Sequence, residues 1–497
     1  MSQKKAFPKD TRSIKKAKTN IDKKTFPEDI RSIKKAKTNI DKKTFPEDIF
    51  SLDEIKAGID KVLSRSEKYG ASDAEIVFSI SESTTVQFKK DIIEIAKRNT
   101  AAGYGVRASV KGAVGFAGTN VLPDLENTLK SAIDAAVVMG KNAAAQDFKG
   151  FKGFPQKNTF KPVKGLFDEK IVEMSLDECI ELTADMISGV KEVKNMIPTS
   201  GGFSRNISGF LIMNTSRLSA FKKETAISGF VDVTTQSGAV STAYDYDISR
   251  QKNVDFKTIG KNAAELAKKS LRGKKIGTEK LPVIFHPFSF ADIIENTLAP
   301  SVDADNIQKG RSGLAGRLEE ELAHSDLSIV DDGRLPNGIS SGPFDDEGTP
   351  TQKTKIIKKG VLNAFLYDSD TAGKDNIQST GNGYRYSYSS APAVDLSNLV
   401  IQFPTSDVVS ETKRGIYINT VIGAHTANAI SGDFSVEGRN AFLIENGELS
   451  KPLKSVMISG NVFDMLKNID GAGKDVRNVG GIVTPSIRIS EMSVIGE

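Results

Sequence analysis

The sequence predicts an α+β protein: an N-terminal antiparallel sheet with flanking helices, followed by a β-rich C-terminal domain. Three observations lead there. Short stretches alternate apolar and polar residues, as in Ile76, Phe78 and Ile80, or Tyr104, Val106, Ala108 and Val110. Helical spacing intervenes, as in Ile55, Ile59, Val62 and Leu63. After Ser325 the pattern is mostly strands and turns.

Taken in order, residues 1–50 are a tail built on a repeat. Lys4-Lys5-Ala6-Phe7-Pro8 returns as Lys23-Lys24-Thr25-Phe26-Pro27 and as Lys42-Lys43-Thr44-Phe45-Pro46. So few apolar residues cannot bury a core, and disorder or marginal helix is expected. Ser51 and Glu54 form a capping-box pattern before the Ile55–Leu63 helix, with Gly70 as its stop. Two alternating runs follow, Ile76–Ile80 and Val86–Phe88. A third, Tyr104–Val110, turns at Lys111-Gly112 into Val114 and Phe116. Pro123 opens a helix with apolar positions Leu125, Leu129, Ile133 and Val137. Residues 142–168, rich in Lys, Gly, Phe and Pro, read as a linker. A helix with Ile180, Ala184 and Ile187 on one face carries Cys179. Strands run from about Gly202 to Ile248, and a helix spans Ile259–Leu271. Leu281 to Phe285 is an apolar strand, and Ser289 caps a helix whose apolar face is Ile293, Ile294 and Leu298. The expected domains are 1–50, 51–275 and 276–497.

Length, composition and charge narrow the class. A chain of 497 residues, 38% hydrophobic and 26% charged, is that of a soluble globular protein of two or three domains. No apolar run is long enough for a membrane helix, and the Lys-rich start lacks the apolar segment of a secretory signal. The single cysteine rules out an internal disulfide and points to the cytoplasm. Residues 1–50 hold 15 of the 68 Lys and Arg but 7 of the 63 Asp and Glu, so the net +5 originates in the tail. The remainder offers no compositional case for binding nucleic acid.

Several segments, in order, resemble the TldD/PmbA family, also called the modulator of DNA gyrase family. They are Gly70-Ala71-Ser72-Asp73-Ala74-Glu75 with Gly103-Tyr104-Gly105-Val106-Arg107, and Ser328-Ile329-Val330-Asp331-Asp332. Then come Pro343-Phe344-Asp345-Asp346-Glu347-Gly348-Thr349-Pro350-Thr351, Ser379-Thr380-Gly381-Asn382-Gly383, Leu443-Ile444-Glu445-Asn446-Gly447 and Thr484-Pro485-Ser486. The resemblance covers roughly residues 52–497. It implies one of two subunit kinds. TldD-like members carry an HExxxH helix and a distant Cys that bind zinc. PmbA/TldE-like members lack both and partner the first kind in cleaving unfolded or short peptides.

The residues test that choice. A catalytic zinc needs about three protein ligands and an activated water. The chain has three histidines, His286, His324 and His425, none followed by Glu and none within a helical turn or two of another. The 289–298 segment, where the family's metal motif would fall, offers Asp292 and Glu295 but no imidazole. The late stretch Asn478-Val479-Gly480-Gly481-Ile482-Val483-Thr484, where the family's Cys would fall, has no thiol. No metal or cofactor is therefore expected on this chain, and zinc is expected in a TldD-like partner. Of the histidines, His286 reads as a turn residue and His324 as the surface partner of Glu320. His425 is the best candidate for a cleft.

Other motifs carry less. Gly338-Ile339-Ser340-Ser341-Gly342 matches G-x-S-x-G, but turn residues surround it instead of a strand and a helix. Gly473-Lys474-Asp475 lacks the hydroxyl and the first glycine of a phosphate loop. Asp345-Asp346-Glu347 could meet a substrate amine, or could cap a tight turn. The candidate substrate-cleft residues are therefore His425, Asp345, Asp346, Glu347, Gly381, Asn382 and Gly383, with no catalytic or metal-binding residue. The expected function is a PmbA/TldE-like subunit of a peptidase complex, in a heterodimer or as a homodimer. The rivals are a stand-alone metallopeptidase with an atypical site and a gyrase- or DNA-associated binding protein.

Overall fold

Alternation in the first third of the chain produces one long antiparallel sheet. The computed structural model describes residues 51–143, 151–236 and 238–496. The repeat tail and part of the 142–168 linker lie outside the described residues. The sheet holds β1 (Asp73–Lys89), β2 (Ile92–Val110), β3 (Ala113–Thr119), β4 (Met196–Asn214), β5 (Ser219–Thr235) and β6 (Thr242–Ser249), in the order β3-β2-β1-β4-β5-β6. The expected runs Ile76–Ile80 and Val86–Phe88 are one strand of 17 residues. Its polar middle is explained by pairing: Thr84 faces Arg205 of β4, and Arg205 reaches Glu82. The β2–β3 turn holds Lys111 and Gly112 at φ 52° and 86°, the hairpin geometry that residue pair suits.

Helices cover the sheet. Leu52–Leu63 buries Ile55, Ile59, Val62 and Leu63, each contributing about 1.5–3 kcal/mol of apolar burial. The helix ends at Leu63, and Gly70, at φ 97°, closes a separate short turn, Glu67–Tyr69. Leu125–Ala143 packs on β2 and β3. Helices Leu176–Lys191 and Phe256–Lys269 share a core with Phe88, Phe203 and Val231. The buried face of the former is Cys179, Thr183, Met186, Ile187 and Val190, while Ala184 is exposed. Thr183 is tolerated inside because its hydroxyl donates to Cys179 O at 2.8 Å.

The C-terminal half forms a closed barrel and a second sheet. β14 (Arg414–Ile422) pairs with β7 (Glu279–Phe285) and with β15 (Asp433–Glu445). The ring runs on through β17 (Val456–Asn461) and β21 (Ile487–Ile495) back to β7. Closure leaves these five strands without open edges. The second sheet has the order β10-β9-β8-β13-β20-β19. It contains β8 (Ser328–Asp332), β9 (Lys353–Lys358), β10 (Val361–Leu362), β13 (Leu399–Gln402), β19 (Arg477–Val479) and β20 (Ile482–Thr484). A small hairpin of β11 (Gly383–Tyr384) and β12 (Ala393–Val394) stands apart. Helix Pro287–Asn296 packs against β14 and β20. Its cap is His286, whose Nδ1 accepts from Phe288 N at 3.2 Å, and not Ser289, which lies within the helix and whose hydroxyl donates to Ile418 O of β14.

The outer edge of β6 is occupied. Thr242 O accepts from Asn440, and Tyr246 O from Arg477. The N–H groups of Tyr246 and Ile248 donate to the carboxylates of Asp245 and Asp247. Among the described residues, no helix is long and apolar enough to cross a membrane.

Candidate functional site

The segments around Glu75, Arg107, Glu347 and Gly383 that mark the family resemblance meet at a buried polar knot. Glu75 on β1 and Arg107 on β2 stand opposite each other and form a two-pronged pair, with Nε–Oε1 2.9 Å and Nη2–Oε2 3.0 Å. Arg107 Nη1 also donates to Glu347 Oε1 at 2.7 Å, and Arg385 Nη2 donates to Glu75 Oε1 at 2.7 Å. Glu347 Oε2 accepts from Ser369 N at 2.7 Å. Asp346 bonds Lys222 of β5 at 3.0 Å and the Arg385 backbone N–H at 3.0 Å. Asp345, fully buried, accepts from the backbone N–H groups of Glu347, Thr349 and Gly383 at 2.9–3.0 Å.

Close backbone approach makes the knot possible. A Cβ at Gly383 would stand 2.5 Å from Glu347 Oε2, and one at Gly105 would stand 2.3 Å from Tyr388 O. Asn382 links Asp331 Oδ2 at 2.8 Å to the Asp395 carbonyl at 2.9 Å.

The charges balance by proximity. Burial opposes the charge of Arg107, but Glu75 and Glu347 outweigh it and hold its pKa above the ordinary value. Burial also opposes the charge on Glu347, yet the Arg107 guanidinium keeps it below the usual carboxylate range. Asp345 is pushed well up by burial and by the Glu347 charge. Burial, with Arg107 close by, brings Arg385 down to about 10. Burial lifts Asp331 to about 6.

The structure thus brings Asp345, Asp346, Glu347, Gly381, Asn382 and Gly383 together, and each carboxylate there has internal partners. Asp346 and Glu347 also border cavities. His425 is not part of this group. It lies exposed in the short turn Ala424–Thr426, near enough to Asp292 for its charge to be felt there. His324 approaches Asp326 at 3.9 Å, and not Glu320, because no helix spans residues 314–324 and Glu320 is held by Arg317 at 2.8 Å. His286 is held neutral, with burial bringing it down to about 4. The Gly338–Gly342 segment is a turn, and Arg250 donates to the carbonyls of Gly338 and Ile339.

Two distant segments converge on one cavity of about 580 Å3. Glu295 and Asn296 enter it from the helix Pro287–Asn296, and Gly480, Gly481 and Ile482 from the β19–β20 turn. These are the two places where the resemblance would put the halves of a zinc site. Asp303, Asp395, Ser340 and Ser397 complete the polar wall. Ser340, Asp395 and Leu396 also border a second cavity of about 320 Å3 that reaches Lys222 and Arg250. Burial raises the carboxyl of Glu295, and the charges of Asp292 and Asp395 push it further the same way. This lining offers oxygen donors but neither imidazole nor thiolate. Among the described residues, no group of three or more His, Cys, Asp or Glu is placed to hold a metal ion. The donor set does not fit zinc.

Glu75, Arg107, Lys222, Arg385 and Asp395 were not expected from sequence. Their partners lie 32 to 310 positions away for the Glu75 pairs, so no local spacing announces them. The signal was indirect, since Glu75, Arg107 and Glu347 each close or centre a family-like segment.

Three family models match this chain. The one described as PmbA/TldA metallopeptidase domain 1 matches residues 74–139, the central domain 169–271 and the C-terminal domain 278–496. An uncharacterised protein of Methanocaldococcus jannaschii is 32% identical over 423 residues, covering 84% of this chain and 94% of the relative. Metalloprotease PmbA of Escherichia coli O157:H7 is 26% identical over 441 residues, covering 86% and 93%. The fold matches the crystal structure of TldE from Thermococcus kodakarensis with a TM-score of 0.82, at 24% identity, over 88% of this chain and 100% of that chain.

Proposed function

This chain belongs to the PmbA/TldD metallopeptidase family, and we propose that it is the PmbA/TldE-like subunit of a peptidase complex, walling a peptide cleft without holding the metal itself. One observation carries the reading. The two segments expected to bear the family's zinc ligands both line the 580 Å3 cavity, and the polar side chains on its wall are carboxylates, amides and hydroxyls alone. A TldD-like partner would supply the metal-bound water and the general base. This chain's share would be to seat an extended peptide. The wall from Val394 to Ser397 continues the β12 strand along the cavity, and backbone pairing of that kind is largely indifferent to side chains.

The test is to purify this chain alone, a relative bearing HExxxH alone, and the two together. Each is then assayed for metal content and for cleavage of an unfolded peptide. Cleavage by the mixture, with metal only in the partner, is expected. Stoichiometric zinc and chelator-sensitive cleavage by this chain alone would overturn the reading. That result would favour a site built around His425 and Asp292. Salt-sensitive DNA binding lost with residues 1–50 would favour the nucleic-acid rival.

A further inference from the structure

A third cavity, of about 410 Å3, lies between the N-terminal sheet and the C-terminal half. One side is apolar: Val114, Phe116, Met139, Phe151 and Val394. These side chains are half-buried or exposed, so their apolar surface opens onto the space. The volume is within the range of small-molecule sites and large enough for an amino-acid residue.

The lining also carries carboxylates, and all but one are answered either by a cation or at both oxygens. Asp305 is paired with Lys309 at 2.7 Å, and Asp370 with Lys374 at 2.6 Å. Glu347 holds Arg107, and Asp303 accepts from Asp305 N at 2.7 Å and from Asn306 at 3.2 Å. Asp368 is the exception. It is only 6% exposed, and its Oδ1 caps the helix Ser369–Asp375 through Thr371 N at 2.8 Å and the Thr371 hydroxyl at 2.6 Å. No hydrogen bond among the described residues reaches its Oδ2, and that atom is not sealed in the interior. The cap's second oxygen therefore opens onto the cavity.

A carboxylate so placed lacks a counter-charge and has Glu347 as a neighbour, so an arriving cation would be favoured. The cations on the cavity wall, Arg107 and Lys309, are already engaged, and the acidic lining disfavours an anion. A metal ion would need more free donors than one oxygen. The apolar wall adds a second requirement. We infer that this cavity binds a primary ammonium carried beside an apolar side chain, as at the N-terminus of a peptide that begins with a hydrophobic residue.

The inference deepens the peptide-handling reading and rests on it only for the choice of a peptide as ligand. The two cavities share Asp303 and Val394, so a peptide anchored at Asp368 has a path towards Glu295.

Calorimetric titration of the full chain, without any partner, tests it. The probes are leucyl-glycyl-glycine, its N-acetylated form, triglycine and leucinamide. The leucyl peptide is expected to bind at least tenfold more tightly than the acetylated peptide or triglycine. Asp368→Asn keeps the Oδ1 cap and should lose at least tenfold. Met139→Lys, on an exposed helix position, should also weaken binding. Equal binding of the acetylated peptide, or wild-type binding by both variants, would overturn the inference. So would absence of binding at millimolar leucyl peptide. Leucinamide as tight as the peptide would assign the cavity to free hydrophobic amines, and weaker leucinamide to peptide N-termini. Both results support the ammonium site. Peptide binding without any gain in a partner's cleavage would sink the subunit reading alone. Cleavage by the complex without peptide binding would sink this inference alone.

Discussion

Replacing Arg107 by Met should reveal how strongly the buried knot holds the two halves of the protein. Arg107 makes two hydrogen bonds to Glu75 and one to Glu347, and all three side chains are at most 6% exposed. Glu75 keeps Arg385 at 2.7 Å when the guanidinium is gone. Glu347 keeps only the Ser369 N–H, and Asp345 and Asp368 remain close enough to act on it or be acted on by it. The damage therefore concentrates at Glu347. Removing one partner of a buried pair typically costs about 3–5 kcal/mol.

The sign with pH follows from Glu347. Its folded-state pKa lies below the ordinary value, so the native pair contributes stability above that ordinary value and loses it as pH falls. In Arg107→Met, burial is opposed only by the Ser369 hydrogen bond and raises Glu347 instead. The variant's deficit should then be about 3–5 kcal/mol at pH 8. At pH 5 it should be at least about 1 kcal/mol smaller, since a tenfold change in proton affinity is worth roughly 1.4 kcal/mol. Urea denaturation at the two pH values measures both. Adding Glu347→Gln should recover part of the pH 8 loss. A deficit below about 1 kcal/mol at pH 8, or one independent of pH, would refute the assignment of the knot to charge.

Other consequences can be checked by the same means. Asp368 titrates at about 6 because of burial and the Glu347 charge, so stability present below about pH 4 is lost as pH rises through 6. Asp368→Asn should escape that loss and gain up to about 3 kcal/mol on wild type at pH 8, but little at pH 4; equal curves would contradict it. Gly383→Ala should cost at least about 2 kcal/mol in urea, since its methyl meets Glu347 Oε2; a neutral result would mean the loop yields freely. The buried Cys179 thiol, pushed up to about 11 by burial, should react with a disulfide reagent in the native protein at least tenfold more slowly than in urea; equal rates would place it at the surface.

The strands and helices were legible where burial has a simple period. Ile76, Val106 and Val114 obey alternation because one face of their hairpins is covered. Alternation fails in the middle of β1, where Glu82 and Thr84 are polar, because Arg205 crosses from β4 to meet Glu82. The helix at Cys179 was placed correctly, with Ile187 buried and Ile180 packed on the core, but Thr183 is buried where Ala184 was expected, since Thr183 hides its hydroxyl by bonding back along the helix. His286 took the cap expected of Ser289 because an imidazole nitrogen can accept as a hydroxyl does. The cleft was half legible. Its two walls were singled out for the metal donors they lack, but 183 positions separate Glu295 from Asn478, and only folding brings those walls together. The knot was illegible as a unit, because each member's partner comes from a different part of the chain.

The occupied margin of β6 bears on how copies of this protein meet. An incoming strand would find the carbonyls of Thr242 and Tyr246 and the amides of Tyr246 and Ile248 already engaged. Sheet-to-sheet growth from that side is therefore blocked by Arg477, Asn440 and two aspartates. At the far end, β3 covers β2 only from Tyr104 to Val110, so among the described residues the stretch with Ile92 and Ile95 has no strand outside it. Runaway polymerisation needs two open margins per molecule, and among the described residues this sheet offers one, so joining through it stops at a pair.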